Sequence, residues 1–191
     1  MATTKPDIFT NVHRGIRNAL FEACLMLGRA GTDTARIAAA RVRLRDALHF
    51  VAHHGENEDV LLLPLLVSRA PGVFERMRSG HTEISQLLDA LSADADVVAI
   101  PDLHHRACAF VALYLEHMRQ EEQELDPQIR GVLAEEELLD FGRRSVERTA
   151  PADQRLMLGW MIPAMPPEEA SALVSKLPAT IAADLRPLIA R

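Results

Sequence analysis

The chain has 191 residues, 48% apolar and 25% charged, which is the balance of a globular protein rather than of a disordered tail or a fibre. Its formal charge of -6 argues against nucleic acid as a main partner, because phosphate contacts need clustered Lys and Arg. No apolar run approaches the roughly 20 residues a bilayer-spanning helix needs, so no membrane partner is expected.

Aromatic residues are scarce, while Ala, Leu, Arg and Glu are abundant. Strands favour aromatic and β-branched residues, so the composition predicts an all-α fold. Met1 to Asp7 contains no signal-type apolar stretch, and a cytoplasmic location is the expectation. The two cysteines, Cys24 and Cys108, form no CxxC and lie among apolar residues, which predicts buried free thiols.

In chain order, a first helix is predicted from about Asp7 to the glycines at 28 and 31. A second starts at a Thr32 or Thr34 cap and runs to about Ala70, with Pro64 kinking or shortening its last turns. Arg36, Arg41, Arg43 and Arg45 form a basic stretch on it, read as a solvated face. Pro71-Gly72 is a break. The third helix covers about Val73 to Asp94. Pro101-Asp102 opens the fourth, which reaches about Ala134, and Pro127 kinks it or ends its regular part early. The connections are short, so neighbours pack antiparallel as an up-down-up-down four-helix bundle over residues 1–134. From Glu135 onwards the texture changes, and prolines divide 135–191 into short helices. These form a C-terminal extension that packs on the bundle, on a second copy in a homodimer, or on a protein partner.

Core-facing residues of a helix recur at steps of three and four. On the first helix the stripe reads Phe9, His13, Ile16, Leu20 and Leu27; on the second, Leu44, Leu48, Val51, His54, Glu58, Leu61 and Leu65. The third gives Phe74, Met77, His81, Ile84, Leu88 and Leu91, and the fourth Phe110, Tyr114, His117, Glu121 and Leu125. Imidazoles and carboxylates thus interrupt otherwise apolar stripes. A buried ionised carboxylate costs several kcal/mol unless it is compensated, and two close together raise one another's pKa. A cation compensates both.

The spacing also suits a metal. His54 with Glu58, and His117 with Glu121, are i, i+4 pairs on one helix face. His13 and His81 add an imidazole from each remaining helix. At ~1.5 Å per residue, His81 and His117 lie about 26 and 24 Å from the turn joining their helices, so the six side chains can share one layer. They can hold up to two metal ions. Imidazole with carboxylate suits iron, with manganese and zinc as alternatives. His53 points about a quarter-turn away from the stripe, and His49, His104 and His105 read as solvated. Tyr114, one turn before His117, reads as core packing, with a place bordering the metal pocket as the alternative.

The set resembles the hemerythrin-like, or HHE cation-binding, family. His13 in NVHRGIRNAL is similar to that family's first-helix histidine, and HHGENEDVLLLPLL carries its second-helix motif at His54 and Glu58. GHTEISQLL at His81 and HMRQEEQEL at His117 and Glu121 resemble the third and fourth segments. The match covers about residues 7 to 134. The resemblance implies a non-haem di-iron centre in which Glu58 and Glu121 bridge two irons, His13 and His54 binding one and His81 and His117 the other. Oxygen-carrying members have a further third-helix histidine where this chain has Ser85, and a fourth-helix acid at the position of Glu122. Fewer protein ligands leave more open positions for a small oxidant or diatomic ligand. The reversed order, His before Glu, separates the pattern from the ferritin-like Glu-x-x-His motif. The classes that remain are a protein that binds or senses dioxygen, nitric oxide or peroxide or handles iron, a redox enzyme using the same centre, and a helical interaction module with a structural metal.

Overall fold

A computed structural model describes residues 5–189; Met1–Thr4, the start of the stretch read above for a signal peptide, lie outside the described residues. No strand occurs among the described residues. Four long helical runs pack in a ring, each against its chain neighbours and the last against the first, which is the predicted antiparallel four-helix bundle.

Helix α1 spans Thr10–Arg29. Asp7 lies before it rather than in it: its carboxylate accepts from the backbone N–H of Phe9 and Thr10 at 3.0 and 2.8 Å. Helix α2 spans Thr34–Asn57, and its cap is Asp33, not a threonine. The Asp33 carboxylate accepts from the N–H groups of Ala35 and Arg36, which satisfies donors that a helix start otherwise leaves free. The run continues as a π-helical turn over Glu58–Leu62 and as α3, Leu63–Leu66. Helix α4 spans Pro71–Asp94, with Pro71 inside its first turn. Helix α5 spans Ile100–Gln120, followed by a second π-helical turn, Glu121–Leu125, and α6, Asp126–Val132.

The two π turns are how the chain accommodates Pro64 and Pro127 without a break. A proline has no N–H for the carbonyl four residues back, and its ring collides with that carbonyl. Here the bonding lengthens by one residue: Leu63 N–H reaches the carbonyl of Glu58, and Asp126 N–H that of Glu121. The extra residue changes which side chains face inward. After Glu58 the fully buried positions are Leu62 and Leu66, whereas Leu65, expected inside, is half-buried.

Two apolar clusters fill the bundle. One collects Ile16, Leu20, Leu44, Leu48, Phe110 and Tyr114 with others. The second, at the opposite end, holds Phe9, Leu62, Leu66, Met77, Leu125 and Ile129. The arginines of α2 serve as clamps: Arg41 donates to the carbonyls of Ala95 and Val98, Arg45 pairs with Asp96, and Arg43 lies over the Trp160 ring at 5.4 Å. Cys24 is half-buried and Cys108 exposed, so the expectation of two buried thiols fails. Both are free.

The extension packs on this same bundle. Helix α7, Glu135–Arg148, adds Leu138 and Phe141 to the second cluster. Helix α8, Pro151–Met161, lies along α1 and inserts Met157 and Trp160 into the first. Trp160 stacks on Phe50 at 6.2 Å and donates its indole N–H to Glu22 at 3.0 Å. Helices α9, Pro167–Val174, and α10, Ala179–Leu185, close a small third cluster around Ile162 and Met165.

Trp160 is only 4% exposed and anchors the extension. Trp160→Ala is expected to destabilise the fold by roughly 3–5 kcal/mol, the range for deleting a buried aromatic side chain. Chemical denaturation followed by circular dichroism measures it.

Candidate metal centre

The bundle brings all six predicted inner residues into one layer between the two apolar clusters. His13 comes from the first half of α1, His54 from the last turn of α2, His81 from the middle of α4 and His117 from the last turn of α5. Glu58 and Glu121 each open a π turn, so the i, i+4 spacing to the preceding histidine is intact and the wider turn follows it. Five of the six are buried, and the His117 side chain is 11% exposed.

Their donor atoms converge. His13 Nε2 and His54 Nε2 are 3.0 Å apart. Glu58 directs Oε1 to His54 Nε2 at 3.3 Å and Oε2 to His81 Nε2 at 3.4 Å. Glu121 directs Oε1 to His117 Nε2 at 3.1 Å and His81 Nε2 at 3.3 Å, and Oε2 to His13 Nε2 at 3.4 Å. Two groups could each hold a metal ion: His13, His54, Glu58 and Glu121, and His81, His117 and Glu121. In each group the donor atoms lie within 4.8 Å of one another.

The electrostatics of the layer fit a cation. Both oxygens of Glu58 and Oε2 of Glu121 are buried without a hydrogen-bond partner, an expensive condition for a carboxylate. Burial, then the charge of Glu121, pushes Glu58 above the usual carboxylate range. Burial acts the same way on Glu121, but hydrogen bonds from His117 and His81 outweigh it and hold that acid low. Burial and the neighbouring His13 hold His54 well below the usual imidazole value. His81 goes the other way: burial would lower it, yet hydrogen bonds to Asp59 and Glu121, with the negative charge of nearby Glu58, lift it to about 12. Protons alone therefore leave this cluster unevenly compensated, and orphaned carboxylate oxygens beside imidazole nitrogens are a donor set for a divalent or trivalent cation.

Two further carboxylates orient the imidazoles from outside. Glu122 Oε1 is 2.9 Å from His13 Nδ1, and Arg17 pairs with Glu122 in turn. Asp59 Oδ1 is 2.5 Å from His81 Nδ1. Each holds the outer ring nitrogen and leaves Nε2 facing the cluster, the arrangement that fixes tautomer and ring direction at metal sites. Sequence reasoning did not assign these roles. The one signal in the sequence is that each is the acid directly after an inner glutamate; which imidazole each one meets is set by the packing of the helices.

The remaining histidines sit elsewhere. His53 Nε2 meets Thr149 Oγ1 at 2.8 Å, and His49 pairs with Asp153. His104, expected to be solvated, is half-buried against Gly28, while His105 is exposed. Tyr114 is 2% exposed, with its ring 5.5 Å from that of His117. Gly80 lets α4 approach His117, because a Cβ there would lie 3.1 Å from the ring Nδ1. A cavity of about 310 Å³ reaches the layer from one side, lined by Glu58, His81, Ser85, Tyr114 and His117 among others.

Fold and cluster together define a helical-bundle protein built around a cation site. The chain belongs to the hemerythrin HHE cation-binding domain family, whose model matches residues 4–129. Comparison with curated proteins and with solved structures gave no significant match. No helix among the described residues is long and apolar enough to cross a membrane.

Asp59→Ala and Glu122→Ala are each expected to weaken metal binding about 10–100-fold, the usual effect of removing an outer partner of a ligating histidine. Competition against a chromophoric chelator measures this. Unchanged affinity in both variants would show that the outer carboxylates play no part in holding the metal.

Proposed function

We propose that the layer binds two iron ions, His13 and His54 on one, His81 and His117 on the other, with Glu58 and Glu121 spanning both. On this reading the centre binds or senses a small oxidant: dioxygen, nitric oxide or peroxide. The observation that carries it is the pairing of carboxylate oxygens. Each glutamate sends one oxygen to the His13–His54 half and the other to the His81–His117 half. Iron in this nitrogen and oxygen environment supplies reversible electron transfer and affinity for diatomic ligands. The chain's own contribution is to hold the imidazoles in one tautomer, to keep bulk water from the His13 side and to open the His81–His117 half to the cavity at Ser85.

The experiment loads the chain with ferrous iron without oxygen, then measures metal content and the visible spectrum before and after each oxidant. Two irons per chain and a new absorption band are expected. Zinc or manganese retained in preference to iron would overturn the iron assignment, and sustained peroxide turnover would move the reading to a redox enzyme.

Substitutions separate the roles. Glu121→Ala is expected to abolish the paired site, His13→Ala to leave partial occupancy, and His105→Ala, on the exposed face, to change nothing. Ser85→Phe is expected to keep the iron but slow the appearance of the oxidant-dependent band in stopped flow. The loaded protein is expected to melt at a higher temperature than the chelated one, because the metal binds the folded chain in preference to the unfolded one. An unchanged melt after confirmed metal removal would place the ions outside the core.

A further inference from the structure

We propose that Cys24 and Cys108 form a dithiol that hydrogen peroxide or a related hydroperoxide converts to a disulfide across α1 and α5, a redox site separate from the metal centre. The two helices run antiparallel, and their contacts set the register. Gly28 of α1 faces His104 of α5, where a Cβ on the glycine would come 3.2 Å from the ring. One turn along each helix, in opposite directions, lie Cys24 and Cys108. One step further, Phe21 and Val111 line the same groove as both cysteines. The missing side chain at position 28 makes room for the His104 ring between the helices, which fixes the register that sets Cys24 opposite Cys108.

The two thiols are unequal in the way such a pair needs. Cys108 is exposed and meets oxidant first, while Cys24 is half-buried behind it. Burial, then the charge of Cys108, pushes the Cys24 thiol up to about 12. Cys108 is thus the attacking group. His104, four residues before it, and Arg29 line the groove beside it. Along α1 and α5 the pair lies about 15 Å from His13 and His117, at ~1.5 Å per residue.

The chemistry balances. The Cys108 thiolate attacks one peroxide oxygen, the O–O bond breaks, and a sulfenic acid forms with release of water once the leaving hydroxide takes a proton. Conversion of the thiolate to the neutral sulfenic acid removes the charge that helped hold the Cys24 proton. Cys24 sulfur then attacks the Cys108 sulfur, the S–O bond breaks, and the leaving hydroxide departs with the Cys24 proton as a second water. Two thiols and one peroxide give one disulfide and two waters, so both sulfurs are oxidised and the peroxide is reduced.

The test treats the full chain with hydrogen peroxide, alkylates remaining thiols under denaturing conditions and reads the intact mass. The expected result is loss of two hydrogens, no alkylated thiol, monomer mobility on a non-reducing gel and reversal by dithiothreitol. In Cys24→Ser the reaction is expected to stop at a Cys108 sulfenic acid that dimedone traps. In Cys108→Ser, Cys24 is expected to remain an alkylatable thiol. Two alkylatable thiols after peroxide would overturn the proposal. So would a Cys108 sulfinic or sulfonic acid beside a free Cys24, or a disulfide joining two chains.

Discussion

Glu58 and Glu121 face one another in the middle of an apolar bundle, and much of the surrounding structure answers that arrangement. Buried carboxylates with unbonded oxygens cost several kcal/mol each, and their mutual repulsion adds to it. Four imidazoles, one from each helix of the ring, meet those oxygens at 3.1–3.4 Å. Asp59 and Glu122 then hold the outer nitrogens of His81 and His13. The result is a polar layer with apolar packing on both sides, so that the helices cannot slide or rotate without parting the donors.

The backbone takes part in this arrangement. Both inner glutamates begin a π-helical turn, and both turns precede a proline. Each proline would ordinarily break an α-helix, yet the run continues, with the bonding just before the proline lengthened by one residue, from Leu63 N–H to Glu58 and from Asp126 N–H to Glu121. One inserted residue rotates everything after it by about 100° relative to a regular helix. The histidine–glutamate pair lies before the insertion and keeps its α-helical spacing; beyond it Leu61 and Leu125 are buried as their spacing predicts, while Leu66 takes the fully buried place expected of Leu65. Such turns are often found at functional sites. Here both occur at the same step of a repeated pattern, one in each half of the bundle.

The two halves differ in their surroundings. Helices of the extension cover the α1–α2 face, with Trp160 stacked on Phe50, and they wall a separate cavity of about 280 Å³ that touches His54. On the other face the cavity at Ser85 leads towards His81 and His117 without such a cover. A centre that is internally near-symmetric thus sits in an asymmetric shell.

From the sequence alone, the all-α class, the approximate helix limits and the six inner polar residues could be read. Those features follow from local periodicity, because an i, i+4 step keeps His54 with Glu58 and His117 with Glu121 in any regular helix. The resemblance to the family rests on the same four segments, and the family model matches residues 4–129. Contacts between helices were not legible, since no local pattern says which carboxylate meets which ring. Hence the pairing of Asp59 with His81 and of Glu122 with His13, the half-buried place of the His104 ring against Gly28, and the shared groove of Cys24 and Cys108 emerge only from the packing of the helices. The same limit left the extension's place open, because its short apolar faces fit several surfaces equally well until α8 is seen along α1. Sequence determined what each helix carries inward. Only the tertiary structure decided the register and the π-turn rotation, which depend on how long-range packing accommodates two prolines.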